Sequence, residues 1–471
     1  MADHQGSSTH SILDDLGARV ATLSYDDLTE SGRSVFRTAL VDTLGVALAG
    51  ADFEGARIAR TVAVPESSGT SLILGSADRA SALDAGMLNG IAAHALDYDD
   101  GNVIMGGHPS ALLIPALLAL GEEVGASAKD VMVAYAAGYE VMIRISRGVN
   151  TTHYEKGWHP TATIGVLGVA AGAARLLGLD AEKCAVAIAI SASMAAGVKA
   201  NFGTMTKSLH VGHAVRDGLL CAKLASDGFT ANRSVLEAKQ GFLDVYNGLD
   251  QYDAPAIVAN IGDGLEINRV SNPIKAYPCC ASTHSAIISA VEIRQAHSLR
   301  SADVARVDVV VDKNRMPHTD RPQLDEALSG KFSLQYVVAR ALLEGRVVLE
   351  HFEGNAHRSP EVLSMMRRVE VSAAPPGGVP NSFAANVTVS TEAGDTFRAM
   401  TDRPPAYGNE AELDPPQLWE KFADCANRVL PAADVTVLAK SLENFPEYGD
   451  VREFMRLVEI GSTQRLTGAV I

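Results

Sequence analysis

From Ser11 to about Leu249, apolar residues recur at helical spacing almost without a break, punctuated by glycines and capping residues. The spacing predicts helices over Val35–Ala49, Ala80–Ala95, Pro109–Val124, Lys129–Val149, Thr161–Leu177, Ala181–Gly197 and Lys207–Asp227. Many of these are apolar on more than one face, the pattern of a helix buried among other helices. Pro109 stands at a helix start, where its missing N–H does no harm, and Asp180 is placed to cap the helix that carries Cys184. Near Gly262 the pattern changes. Ile267–Ala276 reads as extended, Ser282–Ala296 as a helix, and Val304–Asp312, centred on Val307-Asp308-Val309-Val310-Val311, as the clearest strand. Helices over Ser333–Leu343 and Pro360–Met366 alternate with strands over Val369–Ser372, Ala385–Ser390 and Thr396–Met400. Helical spacing returns at Gln417–Val429, Asp434–Leu442 and Val451–Leu457. The expectation is a mainly α protein with an α+β insertion: a helical domain made from residues 11–264 and 403–471, and a smaller α+β domain over 265–402.

A chain of 471 residues exceeds one ordinary core, which fits that division. Apolar residues make up 47% and charged residues 20%, a globular balance; aromatics are only 5%, and small side chains suit close helix packing. Forty basic against 56 acidic residues give a formal charge of −16. That balance keeps the protein soluble, repels nucleic acid, and leaves an anionic substrate dependent on a local basic pocket. The cysteines, Cys184, Cys221, Cys279, Cys280 and Cys425, are odd in number and form no C-x-x-C pair, as expected of free thiols in a reducing cytoplasm. The polar start, Met1 to His10, lacks the basic and apolar regions of a signal peptide, and the longest apolar runs are too short for a membrane span. Dinucleotide, phosphate-loop, nucleophile-elbow and iron–sulfur motifs are missing, so no cofactor is expected.

Four short runs carry acids, bases and cations: His94 to Asp100 leading to Gly107-His108-Pro109-Ser110; Gly157-Trp158-His159-Pro160-Thr161; Gly203 to His210 around Lys207; and Ile274-Lys275-Ala276-Tyr277-Pro278-Cys279-Cys280. Asp97, Asp99 and Asp100 follow a helix, where acids oppose the dipole and so hint at function over stability. His108 and His159 each precede a proline at a helix start, where the dipole favours neutral imidazole and free N–H groups suit carboxylates. Lys207 also opens a helix, an unfavourable place for a cation. His210 and His213 share a helix face but lack the H-E-x-x-H pattern, so no metal is expected.

Together, in this order, the runs resemble the MmgE/PrpD family, which includes 2-methylcitrate dehydratases, cis-aconitate decarboxylases and iminodisuccinate epimerase. The resemblance extends from about Ser11 to Met455. It implies a large helical domain with the smaller domain as a lid, a homodimer formed by the helical domain, and chemistry beside a carboxylate without metal or organic cofactor. It places Asp97, His108, His159, Lys207 and Lys275 in the active site, with Cys280 as a further acid–base candidate. Tyr336 and His210 fall among the substrate-binding positions, His210 supporting its neighbours from behind. Five residues after the lysine, the decarboxylases carry a histidine where this chain has Cys280, and the loop after Asp100 has Gly101 where they carry a threonine. Cys280 can be a thiol acid, a thiolate base beside Lys275, or a small packing residue. These departures favour a hydro-lyase of the 2-methylcitrate dehydratase kind acting on a di- or tricarboxylate. An epimerase of an iminodisuccinate-like dicarboxylate and a cis-aconitate decarboxylase are the alternatives.

Overall fold

A computed structural model describes residues 10–63, 68–149, 152–270, 272–403 and 415–460. The polar start before His10 and parts of the expected C-terminal helical portion, 404–414 and 461–471, lie outside these.

Helices dominate. Glu30–Gly50, Ala82–Ala95, Ser110–Val124, Ala128–Val149, Gly165–Leu176, Ala181–Ser191 and Thr206–Ser226 pack around one apolar core, joined from the far end of the chain by Leu418, Phe422, Leu438 and Phe454. Small side chains set the spacing. Gly212 lies so close to the helix Ala82–Ala95 that a Cβ there would stand 2.6 Å from the Met87 carbonyl oxygen. The caps read from sequence are present: the Asp180 side chain accepts from Lys183 N–H, and Pro109 precedes Ser110–Val124.

Three elements differ from their expected form. The run Thr161–Leu177 is jointed at Ile164 into Pro160–Thr163 and Gly165–Leu176. There the Thr163 hydroxyl bonds back to the His159 carbonyl at 3.1 Å, a local competitor to regular helix. The run from Ala181 ends at Ser191, six residues early. Ile267–Ala276 makes no strand; a 3₁₀ turn, Glu266–Asn268, opens it, and coil carries Lys275.

A second apolar cluster gathers residues between Cys279 and Val389. Besides the short pair β1 (Ser71–Leu72) and β2 (Arg79–Ala80), there is one sheet of β3 (Val304–Val311), β4 (Val369–Ala373), β5 (Ala385–Thr391) and β6 (Thr396–Thr401). Its order is β4-β3-β5-β6, with β3 parallel to β4 and antiparallel to β5. Val307, Val309 and Val311 alternate inward and meet Val389, Val387 and Ala385 across the ladder. The helices His284–Ala296 and Leu334–Glu344 cover that face.

No single helix among the described residues is long and apolar enough to cross a membrane. One bent pair, Glu30–Gly50 with Glu54–Ala63, passes by length and composition, and the first of these is largely buried in the core.

Candidate active site

The acidic run follows directly on the helix Ala82–Ala95. Asp97 sits there in the left-handed region, φ 50°, a backbone state costly for a residue with a side chain. Its carboxylate turns inward, 4% exposed, and Oδ1 accepts from two lysines: Lys207 Nζ at 2.6 Å and Lys275 Nζ at 2.8 Å. Lys275 also donates to the Asp97 carbonyl at 2.8 Å. Lys207 comes from the first turn of Thr206–Ser226 and Lys275 from the coil before Cys279, so three distant runs meet on one oxygen. Burial alone would raise the Asp97 pKa, but Lys207 and then Lys275 hold it well below the usual carboxylate range.

A group of histidines adjoins this cluster. His94 Nδ1 lies 2.7 Å and His108 Nδ1 3.2 Å from Asp99 Oδ2. His108 Nδ1 also faces the Asp100 carbonyl, so its proton belongs on Nδ1 and its lone pair on Nε2. Burial lowers His94 to about 3, with Lys207 adding to the effect against Asp99. Asp99 is held well below its ordinary value by the two rings despite burial. Asp100, buried against Ser110, is pushed well above its ordinary value by burial. The ligand atoms of His94, Asp99 and His108 lie within 4.8 Å of one another, a set that could offer metal ligands. Ligands on a tetrahedral zinc stand roughly 3.3 Å apart; the His94–Asp99 contact at 2.7 Å is tighter and is a hydrogen bond.

His159 caps Pro160–Thr163, its Nδ1 3.1 Å from His210 Nδ1 and its ring centroid 5.8 Å from that of His94. Burial and then Lys207 put His159 well below 6.5 and His210 at about 4. His213 turns instead to Asp217, at 3.0 Å. Four buried polar atoms in this small region have no hydrogen-bond partner: Asp97 Oδ2, Asp99 Oδ1, His94 Nε2 and His159 Nε2. Phe202 and Phe332 flank Lys207 Nζ at 5.2 and 5.5 Å and keep its surroundings apolar.

The structure therefore brings Asp97, His108, His159, Lys207, Lys275 and His210 into one neighbourhood. Cys280 is half-buried on its edge, within electrostatic reach of Tyr154 and Lys199. Tyr336 is not among them: its hydroxyl donates to the His351 carbonyl, and Arg340 Nε donates to it at 3.2 Å, inside the second apolar cluster.

Two lysines that the motifs did not single out hold the loops in place. Lys331, 1% exposed, donates to the carbonyls of Leu96 and Pro278, the latter at 2.9 Å, and its own carbonyl accepts from Cys280 N–H at 2.9 Å. Burial lowers it to about 8. Lys421 donates to the carbonyls of Tyr98 at 2.7 Å and Lys275 at 3.0 Å and pairs with Asp42 at 2.6 Å. Its signal was available: it shares the buried stripe of its helix with Leu418, Phe422 and Cys425.

Two family models match the chain. The MmgE/PrpD N-terminal domain model matches residues 14–254, and the MmgE/PrpD C-terminal domain model matches 277–445. Cis-aconitate decarboxylase of Homo sapiens is 29% identical over 454 residues, covering 93% of each chain. The Mus musculus enzyme of that name is 27% identical, over 96% of this chain and 94% of its own. The Aspergillus terreus one is 27% identical, over 65% of this chain and 67% of its own.

Proposed function

The chain belongs to the MmgE/PrpD family and is a lyase. From that premise we propose that it is a cofactor-independent carboxy-lyase acting on a cis-aconitate-like tricarboxylate. The relatives favour this over the hydro-lyase that Cys280 suggested. The observation that carries it is the pair of buried ammonium groups, Lys207 and Lys275, that meet at Asp97. Two buried ammonium groups are donors that an anionic carboxylate can accept from, and the apolar rings of Phe202 and Phe332 beside Lys207 strengthen that attraction.

In this reading Lys207 and Lys275 hold substrate carboxylates. When the carbon–carboxylate bond breaks and CO2 leaves, its electron pair forms a new double bond, the pair of the old double bond moves to the far carbon, which takes the proton, and the two ammonium groups stabilise that developing charge in a site shielded from water. The proton added to carbon comes from solvent by way of His108, which takes it up on the Nε2 lone pair and passes it on. Its Nδ1 is anchored on Asp99 and the Asp100 carbonyl, which fixes the tautomer and leaves the Nε2 lone pair for proton transfer. His159, through Nε2, accepts from the substrate or relays the proton.

One departure favours a second reading. With Cys280 where the resemblance puts the decarboxylases' histidine, loss of water from a 2-methylcitrate-like hydroxy acid remains the competing lyase reaction. Proton NMR in D2O separates them. Vinyl signals of itaconate arising from cis-aconitate, with one deuterium in the adjacent methylene, are the expected result. An unchanged cis-aconitate spectrum beside dehydration of 2-methylcitrate would replace the carboxy-lyase with the hydro-lyase. Deuterium exchange at Cα of iminodisuccinate alone would overturn both.

A further inference from the structure

Three more cations lie against aromatic rings around the Asp97 group. Arg321 lies over the Phe332 ring at 5.6 Å, the ring that also has Lys207 Nζ at 5.5 Å, and its Nη2 donates to the Phe202 carbonyl at 3.1 Å. Lys199 Nζ stands 3.2 Å from the centroid of Tyr154 and donates to the Tyr154 carbonyl at 3.0 Å. Arg315 approaches that same ring at 5.9 Å, with two of its N–H groups on Ser382 O and Oγ, each at 3.1 Å. Lys199 follows the helix Ala181–Ser191, and the two arginines follow strand β3. Gly203, at φ +90°, leaves room for Arg321: a Cβ there would fall 2.5 Å from Nη1.

All three are half-buried, and among the described residues none meets a carboxylate within ion-pair distance. This is in a chain with 56 acids against 40 bases, where acidic partners are abundant. Their fields converge on His318, which burial first, and then Arg315, Lys199, Arg321 and Lys207, hold at about 3. The neutral ring adds hydrogen-bonding capacity but no charge. Charge in the inner group, by contrast, is already balanced: Asp97 and Asp99 are anions beside Lys207 and Lys275. A substrate with three carboxylates thus brings more negative charge than two lysines already shared with Asp97 can balance.

We infer that Lys199, Arg315 and Arg321 form a second anion subsite that binds a non-reacting carboxylate, making the enzyme selective for tricarboxylates over dicarboxylates. The inference rests on the carboxylate-substrate reading and names a part of it that the inner cluster leaves open. Contacts remote from the reacting carbon bind ground and transition states alike, so they show in KM before kcat.

The test is calorimetric binding of tricarballylate, an unreactive tricarboxylate, and of glutarate, which lacks its middle carboxylate. Arg315→Met/Arg321→Met should weaken tricarballylate by about 10-fold or more, the scale of lost charged hydrogen bonds, and glutarate by less than about threefold. Lys313→Ala, on the exposed part of that segment, should leave both unchanged. Should the double variant not fold, Lys199→Met carries the same comparison. Equal losses for both ligands, or none, overturn the subsite. Inorganic phosphate binding as tightly as tricarballylate, and through the same arginines, overturns the carboxylate assignment. A wild-type protein that binds neither acid removes the substrate reading and the subsite with it. One that binds both while the variant is unaffected removes the subsite alone.

Discussion

Two buried ionic groups in this molecule look alike by charge and burial and differ in what they leave undone. In the helix Ala128–Val149, Arg144 donates to Glu140 at 2.5 Å and to the carbonyls of Ala259 at 3.0 Å and Asn260 at 3.3 Å. The other Glu140 oxygen accepts from Glu266 N–H at 2.6 Å. Every polar group there is used within the fold. In the Asp97 group, two lysines crowd Oδ1 while Oδ2 and two neighbouring imidazole nitrogens have no partner. Burial of charge therefore does not mark the site. What sets the Asp97 group apart is that its open atoms stand together with two lysines and several imidazoles, where the Arg144 pair is closed.

Arg144→Met leaves Glu140 buried without its cation, and breaking a buried pair costs about 3–5 kcal/mol. Urea unfolding should show that loss, while kcat/KM per folded molecule stays near wild type. A folded variant with unimpaired stability but lost turnover would place Arg144 in the chemistry. Lys207→Met is the counterpart. Asp97 keeps Lys275, so the melting temperature should move little, but kcat/KM should fall about 10²–10³-fold, the scale for removing one preorganised donor. Collapse of the fold with retained turnover would make Lys207 an ordinary structural lysine.

The two kinds of buried group also separate by pH. Asp97 has its folded pKa well below 3.8, so its contribution is complete above about pH 4 and is lost only as pH falls through that folded value. The buried histidines act earlier. His94, His284 and His318 stand at about 3 and His153 at about 4, each lowered first by burial. The unfolded chain takes up those protons near 6.5, so stability falls as pH drops below that value, by about 1.4 kcal/mol per unit for each histidine. Asp42 and Asp100, whose pKa values burial raises, oppose that trend in part. Guanidinium midpoints should decline between pH 7 and pH 5, His159 and His210 adding to the effect. A flat profile would mean that the histidine group is open to water and not a closed catalytic cluster.

Helix and strand periods were legible along most of the chain, because core-facing residues repeat at 3.6 or 2 whatever their partners. Asp97, His108, His159, Lys207 and Lys275 were legible as separate runs, each with a charge or imidazole placed awkwardly at a helix end. What no run contained was the meeting of two lysines on one oxygen, which depends on how Ala82–Ala95 packs against Thr206–Ser226. Lys331 was hidden for the same reason: it works through its ammonium on two carbonyls from remote segments, and carbonyls leave no sequence signal. Ile267–Ala276 was misread because an apolar extended pattern does not reveal whether a strand partner exists, and here the coil is held by Lys421 and by Gly101 N–H on the Pro273 carbonyl at 2.9 Å.

Tyr336 sets the outer limit of the site and gives the smallest effect. The resemblance put its phenol near the substrate, but its hydroxyl is spent on the His351 carbonyl and receives Arg340, within the core that covers the sheet. Tyr336→Phe removes one neutral hydrogen bond and leaves the ring's T-shaped contact with Phe352 in place. The expected cost is about 1 kcal/mol of stability, with kcat and KM within about twofold of wild type, since a hydroxyl bonded elsewhere offers the transition state nothing to lose. A tenfold fall in kcat at unchanged stability would require the phenol to leave His351 when substrate binds. The helix Leu334–Glu344 would then belong to the moving part of the site, and the line drawn here between satisfied and unsatisfied groups would have to be redrawn in the bound state.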